Sequence, residues 1–292
     1  MFDAAIARRT LLAAALAAIT GCGSAAASDA QSWRTVTSSR QPSGERALDV
    51  QVEYGAGRLR VAPAERPVLY QFEMRYDEGQ VSPLTEYDRA SGRLRVGMES
   101  RDRKRGIRMD RISDESRADL RLSRDVPLDL ELKFGAGDAD IDLGGLAVRK
   151  LRVATGASET VVAFGKPNRV AADEVRLEAG AAKFEARGLG NARADRFRFK
   201  GGVGETVLDF GGAWDRNATA TISMGIGSLT LRFPRSLGVR VVKDSFLTSF
   251  DATGMVKRGG AYYSRNWETA QNRLTVEVDA ALGSIDVDWI DE

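Results

Sequence analysis

The chain of 292 residues contains no histidine and a single cysteine, Cys22. Without histidine there can be no Ser-His-Asp triad and no His-ligated zinc centre, and one thiol cannot build an internal disulfide framework. Prolines number 7 against 30 glycines, so the corners of the chain fall to a residue that bends rather than one that stiffens. Lys and Arg total 43 against 41 Asp and Glu, a formal charge of +2. So even a balance leaves no footprint for nucleic acid as a partner. The longest apolar run, Leu11 to Ile19, has nine residues, about half of what a membrane-spanning helix needs.

What the chain has in quantity is one repeated sentence. Leu128 to Gly144 reads as two strands joined at a Gly-x-Gly corner, with Leu128, Leu130, Leu132 and Phe134 before it and Ala139, Ile141 and Leu143 after it. Apolar residues at every second position mark a strand with one buried face. Aligned on the first corner glycine, the copies fall at Gly135, Gly156, Gly180, Gly202 and Gly225, in steps of 21, 24, 22 and 23 residues. Two outlying copies turn at Gly55 and Gly57 and at Ala281 and Gly283. One such unit cannot bury its own apolar face, so units stack about 4.8 Å apart. The fold class expected is all-β: a two-sided β-solenoid of about seven coils, each of two strands and two corners, with the first glycines in special backbone angles. Phe164, Phe210, Phe233 and Trp289 are expected to share one core column. An antiparallel β-sandwich with Gly-rich hairpins is the alternative.

The N-terminus reads as a targeting segment. Arg8 and Arg9 precede the apolar run, and Ile19-Thr20-Gly21-Cys22 resembles the lipobox of bacterial lipoprotein precursors. That resemblance implies a signal peptide over residues 1–21 and lipid attachment at Cys22; an ordinary secretory signal cut near residue 27 is the alternative. Residues 22–44, rich in Ala, Ser, Gln and Gly, read as a flexible tether, and residues 45–292 as the β domain. Insertions at about 66–127 and 234–273 interrupt it. In the first, Val68 to Tyr76 and Arg93 to Glu99 read as strands, and Arg101 to Arg105 with Arg108 and Arg111 as a solvated basic loop. This region is expected to cover one end of the stack. In the second, Tyr262, Tyr263 and Trp267 cluster beside Lys257, Arg258 and Arg265, either buried against the last repeats or a candidate binding surface for carbohydrate or peptide.

Pro127-Leu128-Asp129-Leu130 leading to Gly135-Ala136-Gly137, Gly225 to Leu231 with Pro234 and Gly238 to Val241, and Gly283 to Val287 resemble the toast-rack type of domain, related to the C-terminal domain of LiaF-like cell-wall-active antibiotic response proteins. The resemblance implies a non-enzymatic envelope protein without catalytic residues, metal or cofactor. Lacking transmembrane helices, the chain departs from the membrane-embedded members. The function expected is an interaction scaffold or accessory of an envelope stress response. It would be lipid-anchored on the outer side of the cytoplasmic membrane, or at the periplasmic face of the outer membrane in a two-membrane host. Its partners would be an envelope protein or cell-wall polysaccharide. Outward Asp138, Asp140, Asp142, Asp286 and Asp288 lack the nine-residue tandem period of calcium-binding repeats. A polysaccharide-acting enzyme or carbohydrate-binding module on a β-helix is the rival reading.

Overall fold

The computed structural model describes residues 31–101, 115–245 and 247–291. Cys22, the signal segment and most of the basic loop, 102–114, lie outside the described residues.

Among the described residues there is no α-helix, and the strands join into one sheet. In chain order they are β1 (Trp33–Arg40), β2 (Leu48–Pro63), β3 (Tyr70–Asp77), β4 (Val81–Asp88), β5 (Arg93–Ser100), β6 (Arg117–Leu122), β7 (Leu128–Asp142) and β8 (Val148–Ala163). There follow β9 (Glu174–Arg187), β10 (Arg196–Asp209), β11 (Ala218–Pro234), β12 (Gly238–Ser245), β13 (Thr248–Asp251), β14 (Met255–Arg258), β15 (Ala261–Ser264) and β16 (Arg273–Ile290). The long strands β2, β7, β8, β9, β10, β11 and β16 lie side by side in that order. All their pairings are parallel, so they do not form the antiparallel sandwich.

The corners do not end the strands, as the sequence had suggested. Pairing runs through them: Tyr54, Ala56 and Gly57 sit opposite Phe134, Ala136 and Gly137. The physical reason is that each corner faces a similar corner, so the ladder turns with the chain at every pair of long strands except β8 and β9. A straight 15-residue β7 would span about 46 Å, whereas the return to β8, residues 143–147, reaches at most about 20 Å. Each long strand therefore doubles back at its corner.

The two glycines of a corner have different tasks. The second, as at Gly137 with φ of +108°, takes the left-handed conformation that lets alternation slip by one residue, so that both Leu132 and Ala139 point inward. The first has no positive φ, against expectation; it is needed for contact, since a Cβ on Gly156 would sit 2.4 Å from the Gly135 carbonyl oxygen. Between β8 and β9, where Ser158 and Ala182 replace the second glycine, the ladder lapses from Thr155 opposite Ala179 to Glu159 opposite Lys183.

The same alternation carried through all seven copies, from Leu59 and Val61 to Ile285, Val287 and Trp289, marks inward positions beyond each corner, and every one is buried except Trp289, which is half-buried. Phe210 stacks on Phe233 at 5.4 Å and Phe233 meets Trp289 at 6.0 Å. Phe164 is buried too, but β9, which lies between β8 and β10, ends at Arg187 and is followed by Gly188, so it supplies no ring to continue the column. On the return side, buried Asn168 accepts the Val148 N–H at 2.8 Å and donates to the Val148 and Ala192 carbonyls at 2.7 and 3.1 Å. Asn191 likewise donates to the Phe164 carbonyl at 2.8 Å and accepts the Ala213 N–H at 2.9 Å. These side chains tie successive return loops together.

Both ends of the row of long strands are covered by the same device. At one end β5 pairs with Asp49 to Glu53 and β6 with Arg58 to Pro63, one on each arm of β2. At the other, β12 pairs with Gly238 opposite Arg273 through Ser245 opposite Ala280, and β13 takes the second arm of β16. Outside these lie β3 and β4, and β15 and β14, all antiparallel. The outer edges carry Pro83 in β4 and Lys257 and Arg258 in β14, residues that discourage further pairing. β1 pairs with β3 from Trp33 opposite Asp77 to Arg40 opposite Tyr70, so residues 33–40 belong to the sheet and not to a tether. Only Val36 of β1 packs against the core, and an edge strand held by its backbone leaves no hydrophobic period to read.

Candidate interaction surface

Three outward features follow from this frame. The first is the corner line, formed by the residue between the two glycines of each strand. Ala56, Ala136 and Ala157 are neighbours in register, as are Ala181, Val203, Ile226 and Leu282. A groove of about 760 Å³ runs along the first-arm side of this line, over Gly55, Gly135, Gly180 and Gly202, edged by Glu53, Lys133, Glu178 and Lys200. Where the residue between the glycines is alanine the line is low: Ala56 and Ala136 are buried, and Ala157 and Ala181 are exposed. Where it is large, a ridge stands out: Val203 is 55% exposed, Ile226 49% and Leu282 46%. Leu247, 70% exposed, continues the ridge between β12 and β13. Sequence reasoning passed over this ridge because it weighed the glycines and not the residue between them; Gly-Val-Gly, Gly-Ile-Gly and Ala-Leu-Gly in succession were the available signal.

The second feature is the aromatic cluster, which the fold divides. Tyr262 packs edge-on against Phe250 at 4.7 Å, with the Lys257 ammonium 5.5 Å from its ring. Tyr263 points to the other side of β15, meeting Trp267 edge-on at 5.6 Å. Arg240 donates to the Tyr263 hydroxyl at 3.2 Å, and the Arg273 guanidinium lies 5.7 Å from the Trp267 ring. Tyr263 and Trp267 thus form one half-buried pair backed by two arginines, and Tyr262 is not part of it.

The third is the charged outer face of the second arms. A groove of about 750 Å³ is lined by Arg58, Arg60, Arg117, Asp138, Asp140 and Glu159 among others. Its carboxylates are exposed and alternate with cations; Arg58 lies 4.0 Å from Asp138. A glycosidic general acid needs burial to stay protonated near neutrality, and nothing here supplies it. Among the described residues no group of three carboxylates converges to hold a metal ion. None has a helix long and apolar enough to cross a membrane. Away from these faces, burial pushes the Tyr54 phenol up to about 12 although its hydroxyl contacts Ser116 at 2.9 Å.

A family model for the N-terminal domain of toast_rack, DUF2154, matches residues 27–187, more than half of the chain. The chain belongs to the toast-rack family. The match ends at the last residue of β9, yet β9 pairs in register with β10, so the toast-rack sheet continues across that limit. Of the stretches that suggested the family, Pro127 to Gly137 lies within the match and those from Gly225 onward lie beyond it. No curated protein matches the chain. Among solved structures, a candidate cell adhesion protein from Clostridium sporogenes is 16% identical with a TM-score of 0.50, over 89% of this chain and 100% of that one. A candidate adhesin from Bacteroides fragilis is 10% identical with a TM-score of 0.41, over 87% and 97%. A candidate lipid-binding protein from Parabacteroides distasonis is 11% identical with a TM-score of 0.31, over 88% and 96%. The first shares the fold; the lower scores of the others add nothing to it.

Proposed function

We propose that this toast-rack protein is a lipid-anchored, non-enzymatic protein of the cell envelope, a two-sided solenoid of seven coils that serves as an interaction scaffold. The coil reading is supported by the parallel register of seven long strands and their short returns. The anchor reading is supported by the lipobox-like Ile19 to Cys22, which would hold the chain at the outer side of the cytoplasmic membrane or the periplasmic face of an outer membrane. Two acyl chains on one cysteine suffice for stable attachment.

The observation that carries the binding role is the Tyr263–Trp267 pair, rings half in contact with solvent and backed by Arg240 and Arg273. Aromatic faces beside guanidinium groups suit envelope polysaccharide or an envelope protein, with Tyr262 as their support from the other side of the strand. The test joins two variants of the full chain. Cys22→Ser should lose incorporation of labelled fatty acid and mature processing. Tyr263→Ala with Trp267→Ala should keep the melting temperature within a few degrees and lose at least tenfold in co-sedimentation with isolated envelope fragments. Fatty-acid labelling that survives Cys22→Ser overturns the anchor, and undiminished co-sedimentation of the double variant overturns the surface.

A further inference from the structure

The corner line changes character along its length. It is recessed over β7, β8 and β9, where Ala136, Ala157 and Ala181 occupy the corner, and raised over β10, β11 and β16, where Val203, Ile226 and Leu282 do. A contiguous row of exposed aliphatic side chains on an otherwise charged sheet is a contact surface. We infer that two copies of the chain pair through this line, antiparallel about a two-fold axis, the ridge of each lying over the low, alanine half of the other's line.

With the axis between β9 and β10, Val203 meets the partner's exposed Ala181, Ile226 meets the partner's exposed Ala157, and Leu282 lies over the corner of the partner's buried Ala136. Every rung sets a large residue against a small one. Both lines share the strand spacing of about 4.8 Å, so all six contacts come into register together. The flanking rows agree in charge. Before the corner, Lys133 faces the partner's Asp279; beyond it, Lys183 faces the partner's Glu205. In the rows beside these six corners no like charges meet. A two-fold axis along the sheet would instead set ridge on ridge and alanine on alanine. Six rungs span about 24 Å, and a strip about 20 Å wide buries about 500 Å² per copy. That lies below the about 800 Å² of a standard interface, so the pair is of the weak, concentration-dependent class.

The test uses the full chain with Cys22→Ser, in mild detergent, and a short bis-maleimide. Ala157 and Ile226 stand on β8 and β11, with β9 and β10 between them, about 14 Å apart within one molecule and beyond the reach of the linker. The Ala157→Cys, Ile226→Cys pair should give covalent dimer, and each single substitution should give at least tenfold less. By sedimentation, Lys133→Asp should weaken dimerisation at least tenfold, and Lys133→Asp with Asp279→Lys should restore it, with unchanged melting temperatures showing intact folds. Cross-linking by Ile226→Cys alone overturns the antiparallel arrangement. A chain that stays monomeric up to about 1 mM, or whose ridge variants change binding to phospholipid vesicles and not mass, overturns the pairing itself.

Discussion

β10 and β3 each bury alternate residues, yet they find their neighbours in different ways. β10 lies between β9 and β11, near-copies of itself one repeat away, so Phe210 meets Phe233 and Gly202 meets Gly180. β3 lies between β1 and β6, which resemble neither it nor each other, and runs antiparallel to both. In the first case the repeat brings like onto like, and one side chain solves the packing of every rung. In the second, each contact is particular: Tyr70 with Ser38 at 3.3 Å, Arg75 with Glu115 at 2.5 Å. The middle of the sheet is accordingly the source of stability, and the short strands at its ends protect edges.

The largest effect that would break this comparison concerns the corners. Gly137→Val forces a β-branched residue to a positive φ with its Cβ 2.2 Å from the Gly57 carbonyl oxygen. It should cost about 4 kcal/mol or more, or abolish folding. Ala157→Val, exposed between two repeats, should change unfolding free energy by less than about 0.5 kcal/mol. Equal stabilities in denaturant titration would show that corner approach is not limiting. Next, Phe210→Ala removes the ring between Phe197 and Phe233 and should cost about 3 to 5 kcal/mol. A loss under about 1 kcal/mol would place the core elsewhere.

Smaller, and sharper, is Asn168→Ala. It strands the Val148 N–H and two carbonyls in a site only 1% exposed, for an expected loss of about 2 to 3 kcal/mol. Tyr54 gives a pH signature of similar size. Its raised folded value means that the neutral phenol is favoured in the fold. The contribution is therefore intact below about pH 10, the unfolded value, and is lost as pH rises towards about 12. Unfolding free energy should fall by about 2 to 3 kcal/mol more in the native chain than in Tyr54→Phe over that window. Parallel curves for the two proteins would remove Tyr54 from the account. The smallest effect belongs to the end strands: Arg75→Ala, breaking the exposed pair with Glu115, should cost less than about 1 kcal/mol.

The same contrast explains what could be read in advance. The inward rows from Leu59 to Val287 were legible because a period of 2 survives seven times over, and repetition lifts a weak signal. The strands β3 and β5 were legible from their own alternation. β1, β4 and the role of β6 were not, since their partners lie far off in sequence and their edges are polar. At the corners the glycines were legible and their division of labour was not: positive φ and close approach leave the same letter. The aromatic cluster was visible as a cluster, but β15 sends Tyr262 and Tyr263 to opposite sides, and which residue starts the strand is set by its pairing with β12. Asn168 gave no sign, because an asparagine in a loop looks the same whether it is solvated or buried.

The most direct test of the claim that register between repeated strands holds the sheet is native-state hydrogen exchange read strand by strand. Amides of Leu132, Leu177, Phe199 and Leu231, inward on β7, β9, β10 and β11, should exchange only through global unfolding, and those of β1, β4 and β14 at least a hundredfold faster through local opening. If β1 or β14 is protected as strongly as β9 and β10, or if β9 and β10 open first, the end strands carry the stability and the account is wrong.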